Sequence, residues 1–193
     1  MQKKQTMITV KVLVFSALFA ALAAILGQLL AIRPVPSAKY TLDKFVLFLS
    51  GMFFGPMVGG MVGFVSDFVG GHFFGIGWTA PLCVPAVLYG IFGGIFRNML
   101  AQKFTIPRLA VAYLFPTVLG AILYQSPMLA FLYNPGTFRE ALLLNLTTRS
   151  VQFAIMLVVE VTIIYVLVKS KIFTRAGLWP PVMLKKECEN HDC

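Results

Sequence analysis

Residues 51–77, GMFFGPMVGGMVGFVSDFVGGHFFGIG, decide how this chain is built. The stretch is apolar and studded with glycine, and it carries one carboxylate, Asp67, into what must be lipid or a pocket within it. Ionisable side chains at that depth are costly unless they face a bundle interior or a water-filled cavity, so Asp67 is a functional candidate. Gly55-Pro56 is either a kink inside one long helix or a turn between two, and the span count depends on which.

Composition sets the class. The 193 residues are 59% hydrophobic and 12% charged, with a mean hydropathy of +0.85, and one small soluble core cannot bury that much apolar surface. The chain reads as an all-α integral membrane protein. Apolar runs near residues 12–31, 46–65, 79–96, 109–131 and 142–168 each approach the ~20 residues that a helix needs to cross ~30 Å of hydrocarbon.

Charge placement chooses between the readings of Gly55-Pro56. With five spans and an inner N-terminus, the basic loop (Arg97, Lys103, Arg108) and the basic tail (Lys169, Lys171, Arg175, Lys185, Lys186) lie outside, against the positive-inside rule. A turn at Gly55-Pro56 gives six spans with both termini inside. Eleven Lys and Arg residues then lie inside and four, Arg33, Lys39, Lys44 and Arg139, lie outside. The second helix, residues 42–54, is then short, reaching only ~20 Å at ~1.5 Å per residue. Irregular chain at membrane depth is tolerated only where protein or water covers the backbone, so a short helix predicts a cavity open to the outside. Residues 1–175 form the expected six-helix membrane domain and residues 176–193 a cytoplasmic tail. The apolar N-terminal segment reads as a retained first helix, because AAILGQLLAIRP offers no cleavage site.

Candidate site residues follow. Ala17 and Ala21, or Ala20 and Ala24, set small side chains one turn apart on the first helix, for close packing within the bundle or against a partner subunit. The outer loop IRPVPSAKYTLDK carries Arg33, whose guanidinium can grip a carboxylate with two hydrogen bonds. Lys39 and Lys44 in the same loop read as interface anchors. Gly59, Gly60 and Gly63 give the third helix, residues 56–73, a smooth packing face, and Asp67 follows one turn later. Asp67 either pairs with Arg149 or accepts hydrogen bonds from ligand N–H groups. GGHFFGIGWTAP reads as a lid in which Phe74 and Trp78 stack on a flat ligand or serve as belt aromatics, while His72 reads as a loop histidine. Asn145, Arg149 and Gln152, at i, i+4 and i+7, form one polar stripe on the last helix, and Glu160 lies deeper as a structural pair or partner contact.

The excluded classes matter equally. There is no G-x-x-x-x-G-K-[ST] loop, so the chain does not energise transport with its own nucleotide. H-E-x-x-H and G-x-S-x-G are also missing, and no metal ligands cluster in the membrane. The tail residues Cys188, His191 and Cys193 are the remaining metal candidates, and no metal or cofactor is expected. The net charge of +9 is spread over loops, so topology rather than nucleic acid explains it.

The pattern FFGPMVGGMVGFVSDFVGGHFFGIGWTAPLCVPAVLYGIFGGIF, preceded by an IRP loop and an Ala-rich helix, resembles the substrate-binding S components of energy-coupling-factor vitamin transporters across most of residues 10–170. It is most similar to the folate-specific members. Gly77-Trp78-Thr79-Ala80-Pro81 stands at their aromatic loop and Arg149 near their late basic position. The resemblance implies a bacterial cell-membrane subunit, not an enzyme, that captures a vitamin from outside. It would then pair with a transmembrane coupling subunit and two ATPases, through the face of Ala17, Ala20, Ala21 and Ala24. For folate it implies Asp67 against the pterin, Phe74 or Trp78 stacking on it, and Arg33 or Arg149 near the glutamate carboxylates. Pantothenate, a pyrimidine precursor or a queuosine precursor would suit the same fold. An intramembrane enzyme using Asp67, His72 and Arg149, and a purely structural subunit, are the competing classes.

Overall fold

The computed structural model describes residues 10–29, 31–35, 38–73, 80–102, 104–133 and 138–170. In chain order the elements are α1 (Val10–Gln28), β1 (Ile32–Val35), β2 (Ala38–Tyr40), α2 (Asp43–Phe54) and α3 (Pro56–Phe73). A 3-10 turn (Ala80–Cys83) leads into α4 (Val84–Ile95), followed by the short α5 (Arg97–Gln102). Then come α6 (Ile106–Pro116), a π-helical stretch (Thr117–Tyr124), α7 (Gln125–Tyr133) and α8 (Phe138–Lys169). Three segments are long and apolar enough to cross a membrane, Val10–Gln28, Ile106–Leu132 and Leu146–Lys169, and Ala80–Ile95 is a shorter apolar helix.

Gly55 ends α2 with φ +96°, a conformation that glycine enters without steric cost. Pro56 then opens α3, where its missing N–H loses nothing. Arg97 closes over this turn, because a Cβ on Gly55 would lie 3.2 Å from its Nη1. The chain therefore turns at Gly55-Pro56 and makes two helices there.

α2 is buried at every position from Val46 to Phe53, which suits a helix that is apolar all round. It packs against α1, α3, α4 and α8. Glycine makes this crowding possible. A Cβ on Gly51 would collide with the carbonyl oxygen of Gly90, one on Gly90 with that of Gly59, and one on Gly93 with that of Phe48. The backbones of α2, α3 and α4 thus touch directly, the close approach that small residues permit. The outer faces are the reverse: Leu13, Val14, Leu18 and Ile25 of α1 and Val151, Ile155 and Val158 of α8 are exposed.

One departure from an all-helical chain lies between α1 and α2. The stretch read as a proline-stiffened loop forms an antiparallel hairpin, with Ile32 opposite Tyr40 and Val35 opposite Ala38. Pro34 fits there because a two-stranded ribbon leaves alternate N–H groups unbonded. The run expected as one span near residues 109–131 is one continuous helical segment, Ile106–Leu132, with an irregularity inside it. Pro116 interrupts its ladder, and the chain widens into π-helix directly after it.

Thr117 stands at that junction and links three elements. Its hydroxyl donates to the Tyr113 carbonyl at 2.8 Å and accepts from Tyr89 Oη at 3.0 Å. Tyr113 Oη donates to Glu160 Oε2, so the buried carboxylate of α8 is held by α6. Tyr113→Phe keeps the ring contact with Phe48 but leaves that carboxylate without its donor. The expected outcome is a loss of ~1–3 kcal/mol, the cost of an unsatisfied buried group, read as a lower melting temperature in detergent.

Candidate binding site

The two ends of the bundle are distinguishable. At one end Phe104, just after α5, stacks on Tyr165 of α8 with ring centroids 5.8 Å apart, and Arg97 of α5 sits beside the Gly55 turn. At the other end β2 packs on α8. Counting from the Gly55-Pro56 turn at ~1.5 Å per residue, Lys44 of α2 and Asp67 of α3 stand at similar heights, ~16 Å up. The first turn of α2 therefore opens in the middle of the bundle, where its N-cap residue Leu42 provides no side-chain cap.

A notch of about 30 Å³ lies beside that turn. Ala23, Ala24, Gly27 and Gln28 of α1, Asp43 of α2, Ser66 and Asp67 of α3, and Ala86 of α4 line it. Small residues on α1 and α4 make the space, and two carboxylates face it. Ser66 is turned aside by donating to the Gly63 carbonyl at 3.1 Å. Among the described residues Asp43 Oδ1 is buried without a hydrogen bond, and Lys44 Nζ lies 3.9 Å from it, an ion pair too long to be a hydrogen bond. A ligand pocket is typically ~300–1,000 Å³, so the notch has room for a water-sized group and is not a ligand pocket by itself.

The second flank is α8. Arg149 is 8% exposed, Gln152 4% and Glu160 2%, and with Phe153 these residues share the inward face of the helix. Among the described residues Arg149 Nε is buried without a hydrogen-bond partner. Among the described residues no ion pair joins Asp67 to Arg149, so the pairing of these two residues is not what the bundle uses. Glu160 pairs with Tyr113 instead.

Other expected site residues fall differently. Arg33 lies in β1 and Asn145 in α8, with their side chains outside the described residues. Phe74, Trp78 and the tail with Cys188, His191 and Cys193 also lie outside them. His72 belongs to the last turn of α3 and packs on Phe68, ring centroids 4.3 Å apart. The alanine face of α1 divides. Ala20 and Ala24 are buried, and Ala24 lines the notch, whereas Ala17 and Ala21 point outward. The division follows from geometry, because α1 presents its small residues Ala20, Ala23, Ala24 and Gly27 to the bundle to approach α2 and α3.

Three residues of this region were not among the sequence candidates: Gln28, Asp43 and Lys44. Lys44, read as an interface anchor, is folded inward with its side chain 18% exposed. The signal that could have found Asp43 and Lys44 was the shortness of α2, which fixes its first turn at half height.

Three comparisons bear on this geometry. The family model for the ECF-type riboflavin transporter, S component, matches residues 7–169. The folate transporter FolT of Clostridium novyi (strain NT) is 30% identical over 162 residues, covering 81% of this chain and 87% of that protein. A crystal structure of FolT bound with folic acid aligns with a TM-score of 0.67 at 24% identity, covering 80% of this chain and 90% of that one. This likeness extends to the fold. The match across nearly the whole helical region, with the membrane-length apolar helices, establishes that the chain belongs to the S-component family of ECF-type transporters, as a membrane transport component rather than an enzyme.

Proposed function

We propose that this chain is the folate-binding S component of a bacterial ECF importer. It captures the vitamin outside and delivers it through a transmembrane coupling subunit and two cytoplasmic ATPases. In this reading six helices cross the cell membrane with both termini inside, residues 1–175 form the binding domain, and residues 176–193 are a cytoplasmic tail. Ala17 and Ala21 offer the outward small-residue face for the coupling subunit.

The observation that carries the folate reading is the pair of carboxylates, Asp43 and Asp67, facing one notch at half height. A pterin presents two adjacent donors, its 2-amino group and ring N3–H, and a carboxylate accepts both in parallel, as it does from arginine. Arg149 and Arg33 are the candidates for the glutamate carboxylates, Gln152 and Asn145 for polar contacts along the ligand, and Phe74 and Trp78 for stacking. The name of the matching relative, a folate transporter, points the same way.

Riboflavin is the second reading, favoured by the description of the family model. Its ring N3–H is flanked by two carbonyl oxygens, which a carboxylate repels, so the notch suits it less well. Isothermal titration of the detergent-purified protein with folic acid, riboflavin and pantothenate tests the choice. Saturable binding of folic acid at the lowest concentration, without turnover, is the expected result. Tighter binding of riboflavin overturns the folate assignment, and heat with none of the three overturns the vitamin assignment altogether.

A further inference from the structure

Lys44 occupies a position that a lysine ordinarily avoids. It is the second residue of α2, where the positive end of the helix dipole disfavours a cation. A long flexible side chain normally carries its ammonium out to water. Here the side chain is folded inward, 18% exposed. Its Nζ donates to Thr41 Oγ1 at 3.3 Å, lies 3.9 Å from Asp43 Oδ1, and sits 5.8 Å from the centroid of the Phe153 ring on α8. Among the described residues this is its one hydrogen bond, which leaves two of the three ammonium protons for further acceptors.

The inward face of α8 carries a second buried charged side chain. Glu160 is 2% exposed, and its Oε2 accepts from Tyr113 while Oε1 has no hydrogen-bond partner among the described residues. Lys44 is within electrostatic reach of that carboxylate. A buried carboxylate that accepts from a tyrosine thus accompanies a partly exposed cation that makes one hydrogen bond among the described residues. Lys44 and Phe153 lie on the α8 side of the first turn of α2, and Asp43 links them to the notch that holds Asp67.

We propose that Lys44 is a specificity-determining residue whose ammonium donates to a ring acceptor, a carbonyl oxygen or ring nitrogen, of a bound heteroaromatic ligand, with Glu160 as the positioning residue behind it. The inference rests on the vitamin-binding reading above and adds the acceptor edge of the ring to the donor edge that faces Asp67. A pterin carries both edges, so it would lie across the first turn of α2 with its N–H groups toward Asp67 and its oxygen toward Lys44.

The test is titration of the detergent-purified full chain with folic acid and with pteroic acid, which has the same ring system but no glutamate. Lys44→Met fills the same space without charge and is expected to weaken both ligands by the same factor, about 10- to 100-fold, as for loss of a charged hydrogen bond. Lys44→Arg recovers part of that loss. Glu160→Gln weakens both ligands in the wild-type background and changes nothing further in Lys44→Met, as expected of a group that acts through Lys44. The Lys44→Met, Glu160→Gln double variant removes both charges together, so a folded protein is available even where the single charge deletion destabilises. Unchanged affinity in Lys44→Met and in the double variant overturns the proposal. A loss confined to folic acid assigns Lys44 to the glutamate tail and overturns it equally, and additive losses in the double variant overturn the role of Glu160. Wild-type failure to bind folic acid refutes the folate reading instead. The same variants are then titrated with riboflavin, whose ring carbonyls are equally good acceptors, and again unchanged affinity overturns the proposal.

Discussion

Gly90→Val is expected to abolish the folded bundle, and Gly90→Ala to lower its stability severely. A Cβ at this position would meet the Gly59 carbonyl and the backbone nitrogen of Gly60. Those atoms belong to the helix ladder of α3 and cannot swing aside like a side chain. The contact is reciprocal, because Gly51 and Gly59 approach the carbonyl of Gly90 just as closely from the other side. Relief requires α4 to separate from both α2 and α3, which opens the packing around Phe48, Leu49 and Met52, all no more than 1% exposed. Overpacking a core with side-chain freedom costs ~1–3 kcal/mol, and a rigid backbone contact places Gly90→Ala at or above the top of that range. Gly120→Ala is the matched control, since the new methyl there lies 3.3 Å from Leu88 Cδ1 and from Pro85 Cα, a distance that small shifts accommodate. Thermal melting followed by size-exclusion chromatography in detergent separates the two. Equal melting temperatures for both alanine variants would mean that the three helices are not held by glycine contacts.

The same glycines show why part of this fold could be read directly. Gly55-Pro56 combines a residue that enters positive φ with one that begins helices, so the bounds of α3, Pro56–Phe73, followed from local chemistry and charge placement. The hairpin did not, because strands of four and three residues interrupted by proline carry no period to detect. Tyr113 and Glu160 are 47 positions apart, and no local pattern announces their pairing. Glu160 on its own could be recognised as a residue in need of a partner, but not which partner. Lys44 reads as an interface anchor because lysine favours helix ends, and spacing alone does not announce that its side chain is 18% exposed and donates to Thr41. The alanine face of α1 was read from spacing alone, which fixes which residues align but not which side meets the bundle.

Asp67→Asn is expected to lower folic acid affinity by about 30- to 1,000-fold, corresponding to ~2–4 kcal/mol from the loss of charge-assisted parallel hydrogen bonds. The substitution preserves size and leaves Ser66, Ala86 and the alanines of α1 where they are. The change is chemical: an amide can offer the pterin one acceptor, and it turns an N–H toward a ligand edge that itself carries N–H groups. For a flavin the sign reverses. Its N3–H lies between two carbonyl oxygens, and a group with one acceptor and one donor matches that edge better than a carboxylate does. Asp67→Asn therefore narrows or inverts the preference for folic acid over riboflavin, an outcome that general destabilisation cannot produce because it weakens both ligands alike. Asp67→Glu retains the charge but advances it by one methylene into a notch of about 30 Å³, so it should recover only part of the affinity. Wild-type affinity in Asp67→Asn would remove Asp67 from the site. Recognition of the ligand ring would then fall to Lys44 and the inward face of α8, and the carboxylates beside the notch would be left with a role in holding α1, α2 and α3 together.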